Sequence, residues 1–125
     1  VPTGEALRGA GAANQTKLVG EPVQGPLFDF APAIGEFLQT HLFGDIFERD
    51  NLDWQSRELA TVGTLSALPG VEAQLQSHMR ISMNVGLTRS QLAQLVQVLD
   101  EHVGADHAAR ARMALKQASA APPRR

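Results

Sequence analysis

The chain has 125 residues, a formal net charge of −2 at pH 7 and no cysteine. A chain of this length predicts one domain with a limited core, and a pI near 6.1 shows no overall excess of positive charge that would favour nucleic acid. The lack of cysteine excludes disulfides, thiolate metal sites and thiol catalysis. No apolar run is long enough to cross a membrane, so we expect neither a nucleic acid nor a membrane partner.

The first 25 residues are rich in Gly, Ala and polar residues. They predict a flexible N-terminal segment over 1–25, with at most a short helix over 5–13. Because the chain begins with valine, we expect that an initiator methionine was removed, alone or with a targeting segment. The compartment stays open: cytoplasmic, or periplasmic if the removed part was a signal peptide. A first helix is predicted over 29–41, with Pro32 in its first turn, where proline is tolerated. Residues 43–47 predict a second, short helical turn.

Two longer helices follow in the middle of the chain. Asp53 is placed as the N-cap of the first, and Pro69-Gly70 ends it. The second is predicted over 71–85, and Gly86 has the place of a glycine that follows a C-cap.

The C-terminal third predicts two more helices. Thr88, with Gln91 three residues later, has the pattern of a capping box at the start of one. An alanine-rich helix over 106–118 precedes a tail, 119–125, that we expect to be disordered. No run alternates between polar and apolar residues for long enough to predict a strand. The sequence therefore predicts an all-α fold, a bundle of about five to six helices with its helical domain over 26–118.

Three titratable residues interrupt the apolar stripes of these helices. Glu58 shares a helical face with Val62, His78 lies next to Met79 near the centre of another apolar arc, and His41 falls in an upstream stripe of aromatic and aliphatic residues. An unpaired buried charge is costly, so Glu58 and His78 are predicted to pair with each other or with a ligand.

These residues allow more than one interpretation. A histidine in a mostly apolar pocket, hydrogen-bonded to a glutamate, suits a general acid, but a buried Glu–His pair can also simply join two helices. His41 is either a second proton donor or a hydrogen-bonded core residue. A zinc site formed by His41, Glu58 and His78 is a third possibility, although no spacing such as His-x-x-x-His favours a metal.

Residues 42–86 resemble the carboxymuconolactone decarboxylase family, which has the alkyl hydroperoxidase D-like fold. The resemblance continues more weakly to Gly104, and it implies a small helical subunit that forms a homo-oligomer, a trimer or a hexamer, with its site near subunit contacts. The residues that carry it are Phe43-Gly44-Asp45, Arg49, Leu52, Arg57-Glu58-Leu59, Leu75, His78, Asn84-Val85-Gly86 and Thr88.

The family that the chain resembles has two chemical branches. One carries Cys-x-x-Cys on the helix that holds the histidine, but Val71 and Gln74 stand at those positions here, so thiol peroxidase chemistry is excluded. The other branch needs no cofactor and converts γ-carboxymuconolactone, a product of protocatechuate breakdown, to β-ketoadipate enol-lactone. The resemblance therefore implies a small carboxylated substrate and no cofactor.

The resemblance also suggests roles for the candidate site residues. Loss of CO₂ leaves a carbanion or enolate that must be protonated, so His78 would be the general acid, oriented by Glu58, with His41 as a second donor. Arg57 or Arg80 would bind the substrate carboxylates, and they would act at a neighbouring subunit because the helical wheel turns both away from their own helix's core. The sequence thus favours a lyase or isomerase on a small lactone or keto acid; the alternative is a non-catalytic binding or assembly member of the family.

Overall fold

The computed structural model describes residues 2–120, and within this range the chain is helical and contains no strand. The all-α prediction is confirmed, but the described residues form seven α-helices rather than five to six, together with one π-helix. The α-helices are α1 (Gly4–Val19), α2 (Pro26–Phe30), α3 (Pro32–Phe37), α4 (Trp54–Ser66), α5 (Glu72–Asn84), α6 (Arg89–His102) and α7 (Ala105–Ala120), and the π-helix (Leu38–Ile46) follows α3.

The described chain divides into two compact units, one ending at Asp53 and the other beginning at Trp54. None of the helices within residues 2–120 combines the length and apolar character that a membrane crossing requires. Of the tail predicted over 119–125, Ser119 and Ala120 continue α7, and the remaining positions lie outside the described residues.

Helix α1 is longer than the short helix that the sequence predicts. It ends at Gly20, whose φ of 96° is left-handed and whose N–H donates to the carbonyl of Thr16. Gly11 explains why this Gly- and Ala-rich segment is a packed helix: a Cβ there would lie 1.6 Å from the carbonyl oxygen of Gln39. From the other side, a Cβ at Gly44 on the π-helix would lie 3.0 Å from the carbonyl oxygen of Leu7 on α1. The small residues therefore permit close helix contact, whereas composition alone indicates flexibility.

The helix predicted over 29–41 is divided at Ala31. This residue precedes a proline, which disfavours the α conformation, and it adopts φ −133° and ψ 77°. Helix α2 ends there and α3 begins with Pro32 at its first position. Beyond Phe37 the chain continues as the π-helix, whose five-residue hydrogen bonding extends to the N–H of Phe47, 3.0 Å from the carbonyl oxygen of Leu42. The separate turn predicted over 43–47 is part of this continuous segment.

The second unit consists of α4 to α7 around one apolar core. Val62, Leu75, Met79 and Leu92 are almost fully buried, and α7 adds a stripe of alanines that includes Ala111. Because alanine side chains are small, α7 can approach the other helices closely.

The helix ends of this unit follow the sequence signals. Helix α4 begins directly after Asp53. Gly86 has φ 106°, and the N–H of Leu87 reaches back to the carbonyl of Ser82 at 3.0 Å, as in a Schellman motif. Thr88 and Gln91 form the predicted capping box at the start of α6.

Candidate active site

Glu58 and His78 meet between α4 and α5. The Nδ1 atom of His78 lies 2.8 Å from Oε2 of Glu58. Glu58 is on the same face of α4 as fully buried Val62, and His78 precedes fully buried Met79 on α5. The apolar periodicity of the two helices therefore brings the carboxylate and the imidazole together, as the sequence predicts.

The pairing fixes which nitrogen of His78 is available for chemistry. When Glu58 is ionised its oxygens only accept hydrogen bonds, and in that state Nδ1 of His78 carries the proton that it donates to Glu58. Nε2 is then the free nitrogen, an acceptor when the ring is neutral and a donor when it is protonated. The side chain of Glu58 is 2% exposed and that of His78 is 29% exposed. A ligand can therefore reach the imidazole but not the carboxylate behind it.

A serine one helical turn beyond the histidine is not a nucleophile of the serine–histidine kind. Ser82 is fully buried, and its hydroxyl donates to the backbone carbonyl of His78 at 2.7 Å. The proton that a base would have to remove is therefore committed to the helix backbone.

His41, predicted to face inward, is largely exposed. It belongs to the first unit, its side chain is 71% exposed, and its Nδ1 lies 3.6 Å from a carboxylate oxygen of Asp45. Arg49 also approaches Asp45, at 3.3 Å. The inward prediction is wrong because most of the stripe is exposed in the chain: Phe30 and Phe37, which lie on regular α-helices, are exposed as well. The role of His41 as a second proton donor stays a prediction.

Two arginines flank the pair in sequence. Arg57 and Arg80 are half-buried, although the helical wheel turns both away from the core. The Nε atom of Arg80 is shielded from solvent and has no hydrogen-bond partner among the described residues. A buried guanidinium N–H without an acceptor is costly, and because this atom is shielded, a ligand would reach it only after the packing around it changed. That Arg57 and Arg80 act at the site of a neighbouring subunit stays a prediction.

The described residues contain no cluster of side chains that could bind a metal ion. Across residues 2–120, no three His, Asp or Glu side chains come together as a possible ligand set. The zinc alternative built on His41, Glu58 and His78 therefore gains no support from the geometry.

Comparison with known proteins agrees with the resemblance seen in the sequence. The model of the carboxymuconolactone decarboxylase family matches residues 32–117, which include both members of the Glu58–His78 pair. The chain is also similar to the 4-carboxymuconolactone decarboxylase of Acinetobacter baylyi (strain ATCC 33305 / BD413 / ADP1), with 33% identity over 70 residues that cover 56% of this chain and 52% of the relative. The chain thus spans about half the length of this curated relative.

Proposed function

This chain belongs to the carboxymuconolactone decarboxylase family, and we propose that it is a cofactor-free lyase that decarboxylates a small carboxylated lactone or keto acid. The observation that carries the proposal is the 2.8 Å contact between Glu58 and His78, with the carboxylate buried and the imidazole partly exposed. The relative from Acinetobacter baylyi is a 4-carboxymuconolactone decarboxylase, which supports γ-carboxymuconolactone as the first candidate substrate.

In the proposed reaction, Nε2 of His78 protonates the enolate that the loss of CO₂ leaves. The bond between the carboxylate and the adjacent carbon breaks, CO₂ leaves, and the electron pair is delocalised towards the carbonyl of the substrate as an enolate. Protonated His78 then donates its Nε2 proton to carbon, and the ring recovers a proton from solvent through its exposed edge. A positioned general acid contributes a factor of about 10² to 10⁴ in rate. The same donor could shift a proton between two carbons in an isomerase.

Glu58 supports this step without touching the substrate. Its carboxylate holds Nδ1–H of His78, so the ring cannot rotate away and Nε2 keeps its direction. The negative charge also stabilises the imidazolium that donates the proton. Arg80, with Arg57 as a second candidate, would bind a substrate carboxylate through its guanidinium.

Assembly of several subunits is part of the proposal. In the single chain, Phe30 and Phe37 are 88% and 73% exposed, and Leu27 and Ile34 are also exposed. Apolar side chains of this size that lie near each other in sequence are typical of surfaces covered by a partner. We therefore propose a homo-oligomer, a trimer or a hexamer.

A non-catalytic role is the second candidate. The Glu58–His78 contact is closed and its carboxylate is almost fully buried, which also suits a pair that only holds two helices together. In that case the protein would be a small-molecule-binding or assembly member of the family.

Activity assays separate these candidates. The protein is incubated with γ-carboxymuconolactone, related lactones and β-keto acids, and CO₂ release is measured without added cofactor, then with a chelator and with a thiol reagent. We expect turnover of at least one carboxylated substrate that neither reagent changes. Peroxide reduction with a dithiol donor serves as a negative control, since the chain has no cysteine. No CO₂ release from any of these substrates would favour the non-catalytic candidate.

A further inference from the structure

A groove between α6 and α7 lies outside the candidate active site and has no role in the proposed function. Its volume is about 790 Å³, within the range of pockets that hold small organic molecules. Ala93, Val96 and Leu115 contribute its apolar part, and Arg89, Arg112 and Lys116 contribute positive charge. The groove therefore combines an apolar surface with an excess of cations.

The three cations have no counterion in the described chain. The side chains of these three residues form no hydrogen bond or ion pair with another of residues 2–120. By contrast, Arg8 pairs with a carboxylate, and Arg110 donates to the carbonyl of Ser66 at 2.9 Å. Positive charge in the groove is thus left available for an anion.

The position of Arg89 strengthens this interpretation. It is the first residue of α6, and the first turn of that helix contains no acidic residue. A cation is unfavourable at a helix N-terminus, where the helix dipole is positive. An anion bound beside Arg89 would relieve this repulsion and interact favourably with the same dipole.

The two helices give the groove a direction. They are joined by Val103 and Gly104 alone, so they run antiparallel and the start of α6 lies beside the end of α7. Arg89 and Lys116 therefore belong to one end. Asp100, the one acidic residue of the lining, lies about three helical turns, roughly 16 Å, from Arg89 along α6. An anionic group is therefore attracted to the end with Arg89 and Lys116 and repelled from the end with Asp100.

We propose that this groove binds a small amphiphilic carboxylate, with its carboxylate between Arg89 and Lys116 and its hydrocarbon body over Ala93, Val96 and Leu115. The ligand needs both parts to fill the groove: the cations bind its carboxylate, and the apolar side chains pack against its hydrocarbon chain. The proposal does not depend on the proposed catalytic function.

Titration calorimetry with octanoate tests the proposal, with octanamide as the uncharged analogue and acetate as the headgroup alone. We expect octanoate to bind with one-to-one stoichiometry and both analogues to bind much more weakly. NMR amide shifts should change for Ala93 and Gln97, which line the groove. Binding of octanamide or acetate as tight as that of octanoate, or no octanoate binding at millimolar concentration, would overturn the assignment.

Variants locate the carboxylate within the groove. Arg89→Gln and Lys116→Gln should each weaken octanoate binding about tenfold, since each removes one charge-assisted hydrogen bond. Asp100→Asn should bind at least as tightly as the unmodified protein. Lys17→Gln is the matched control, because Lys17 is an exposed cation of α1 that does not line the groove. Unchanged affinity in both Arg89→Gln and Lys116→Gln, or an equal loss in Lys17→Gln, would contradict the proposed site.

Discussion

At the scale of single residues, the asymmetry of exposure between Glu58 and His78 decides what each can do. The buried carboxylate has one strong partner, whereas the imidazole has a second nitrogen outside this contact and a side chain that is 29% exposed. Removing the histidine leaves a charge that water cannot easily solvate, whereas removing the glutamate leaves a ring that can still meet water. Loss of the partner therefore destabilises the fold more when Glu58 is the residue left behind. His78 is the residue that can contact a substrate.

His78→Ala should lower the free energy of unfolding by about 3–5 kcal/mol, because it leaves the Glu58 carboxylate buried without a partner. His78→Gln should cost less, since its side-chain amide can still donate to that carboxylate. Urea denaturation of both variants measures the difference. The reverse order of stabilities would show that Glu58 does not depend on a donor at position 78.

This pair could be predicted from the sequence because both residues lie on α-helices with regular apolar spacing. Glu58 and Val62, four residues apart, share one face of α4 in the structure as they do on a helical wheel. The same method placed His41 in the core and was wrong, because an apolar stripe does not tell whether its face is covered by the same chain, and here Phe30 and Phe37 are exposed together with His41. The unpartnered Nε atom of Arg80 depends on tertiary packing, which no sequence pattern reports.

At the scale of elements, a helix boundary could be predicted where one or two neighbouring residues determine the backbone conformation. Gly86, with its left-handed φ, and the Thr88–Gln91 capping box act locally, so their sequence signals are sufficient. The break at Ala31 also follows from the proline after it, but the prediction of one continuous helix over 29–41 missed it. The length of α1 was not predictable, because it depends on contact between Gly11 and a distant segment.

Gly11→Ala should strongly destabilise the first unit, because the new Cβ would lie 1.6 Å from the carbonyl oxygen of Gln39. Gly9→Ala is the matched control on the same helix. Nothing lies within 4 Å of its added Cβ, and alanine is favoured over glycine in a helix by up to about 1 kcal/mol. Thermal unfolding followed by circular dichroism should therefore show opposite shifts for the two variants. Similar shifts in both would mean that α1 does not pack closely at Gly11.

The first turn of α5 predicts a dependence of stability on pH. Hydrogen bonds from the backbone N–H of Glu72 itself and from that of Gly70 hold the pKa of the Glu72 carboxyl below its ordinary value of 4.5. A group whose pKa is lower in the folded state stabilises the fold above its unfolded pKa and loses this contribution as the pH falls through the folded value.

Glu72→Gln should therefore be less stable than the unmodified protein at pH 7, and the difference should shrink as the pH falls below about 4.5. Urea denaturation at a series of pH values measures this convergence. Asp100→Asn, an exposed change outside the turn, should keep the pH profile of the unmodified protein. A constant difference between Glu72→Gln and the unmodified protein at all pH values would contradict the role of these hydrogen bonds.

At the scale of the whole molecule, the exposed apolar side chains of α2 and α3 are the main argument for assembly. We expect light scattering to show an oligomer at micromolar concentration, a trimer or a hexamer. Phe30→Glu with Phe37→Glu should produce smaller species, because charges would then occupy the surface to be buried. Met113→Glu, also at an exposed apolar position, is the control and should leave the mass unchanged. A stable monomer of the unmodified protein would rule out the assembly.

The central claim is that Nε2 of His78 delivers a proton while Glu58 holds the ring. Its most direct measurement is the rate of CO₂ release from γ-carboxymuconolactone by the unmodified protein, His78→Gln and Glu58→Gln, each first shown to be folded. His78→Gln should lower kcat by about 10² to 10⁴, because glutamine cannot donate a proton as an acid. Glu58→Gln should lower kcat by a smaller factor with little change in KM, since it removes the charge behind the ring but keeps an acceptor for Nδ1–H. Turnover by folded His78→Gln at the rate of the unmodified protein would contradict the claim.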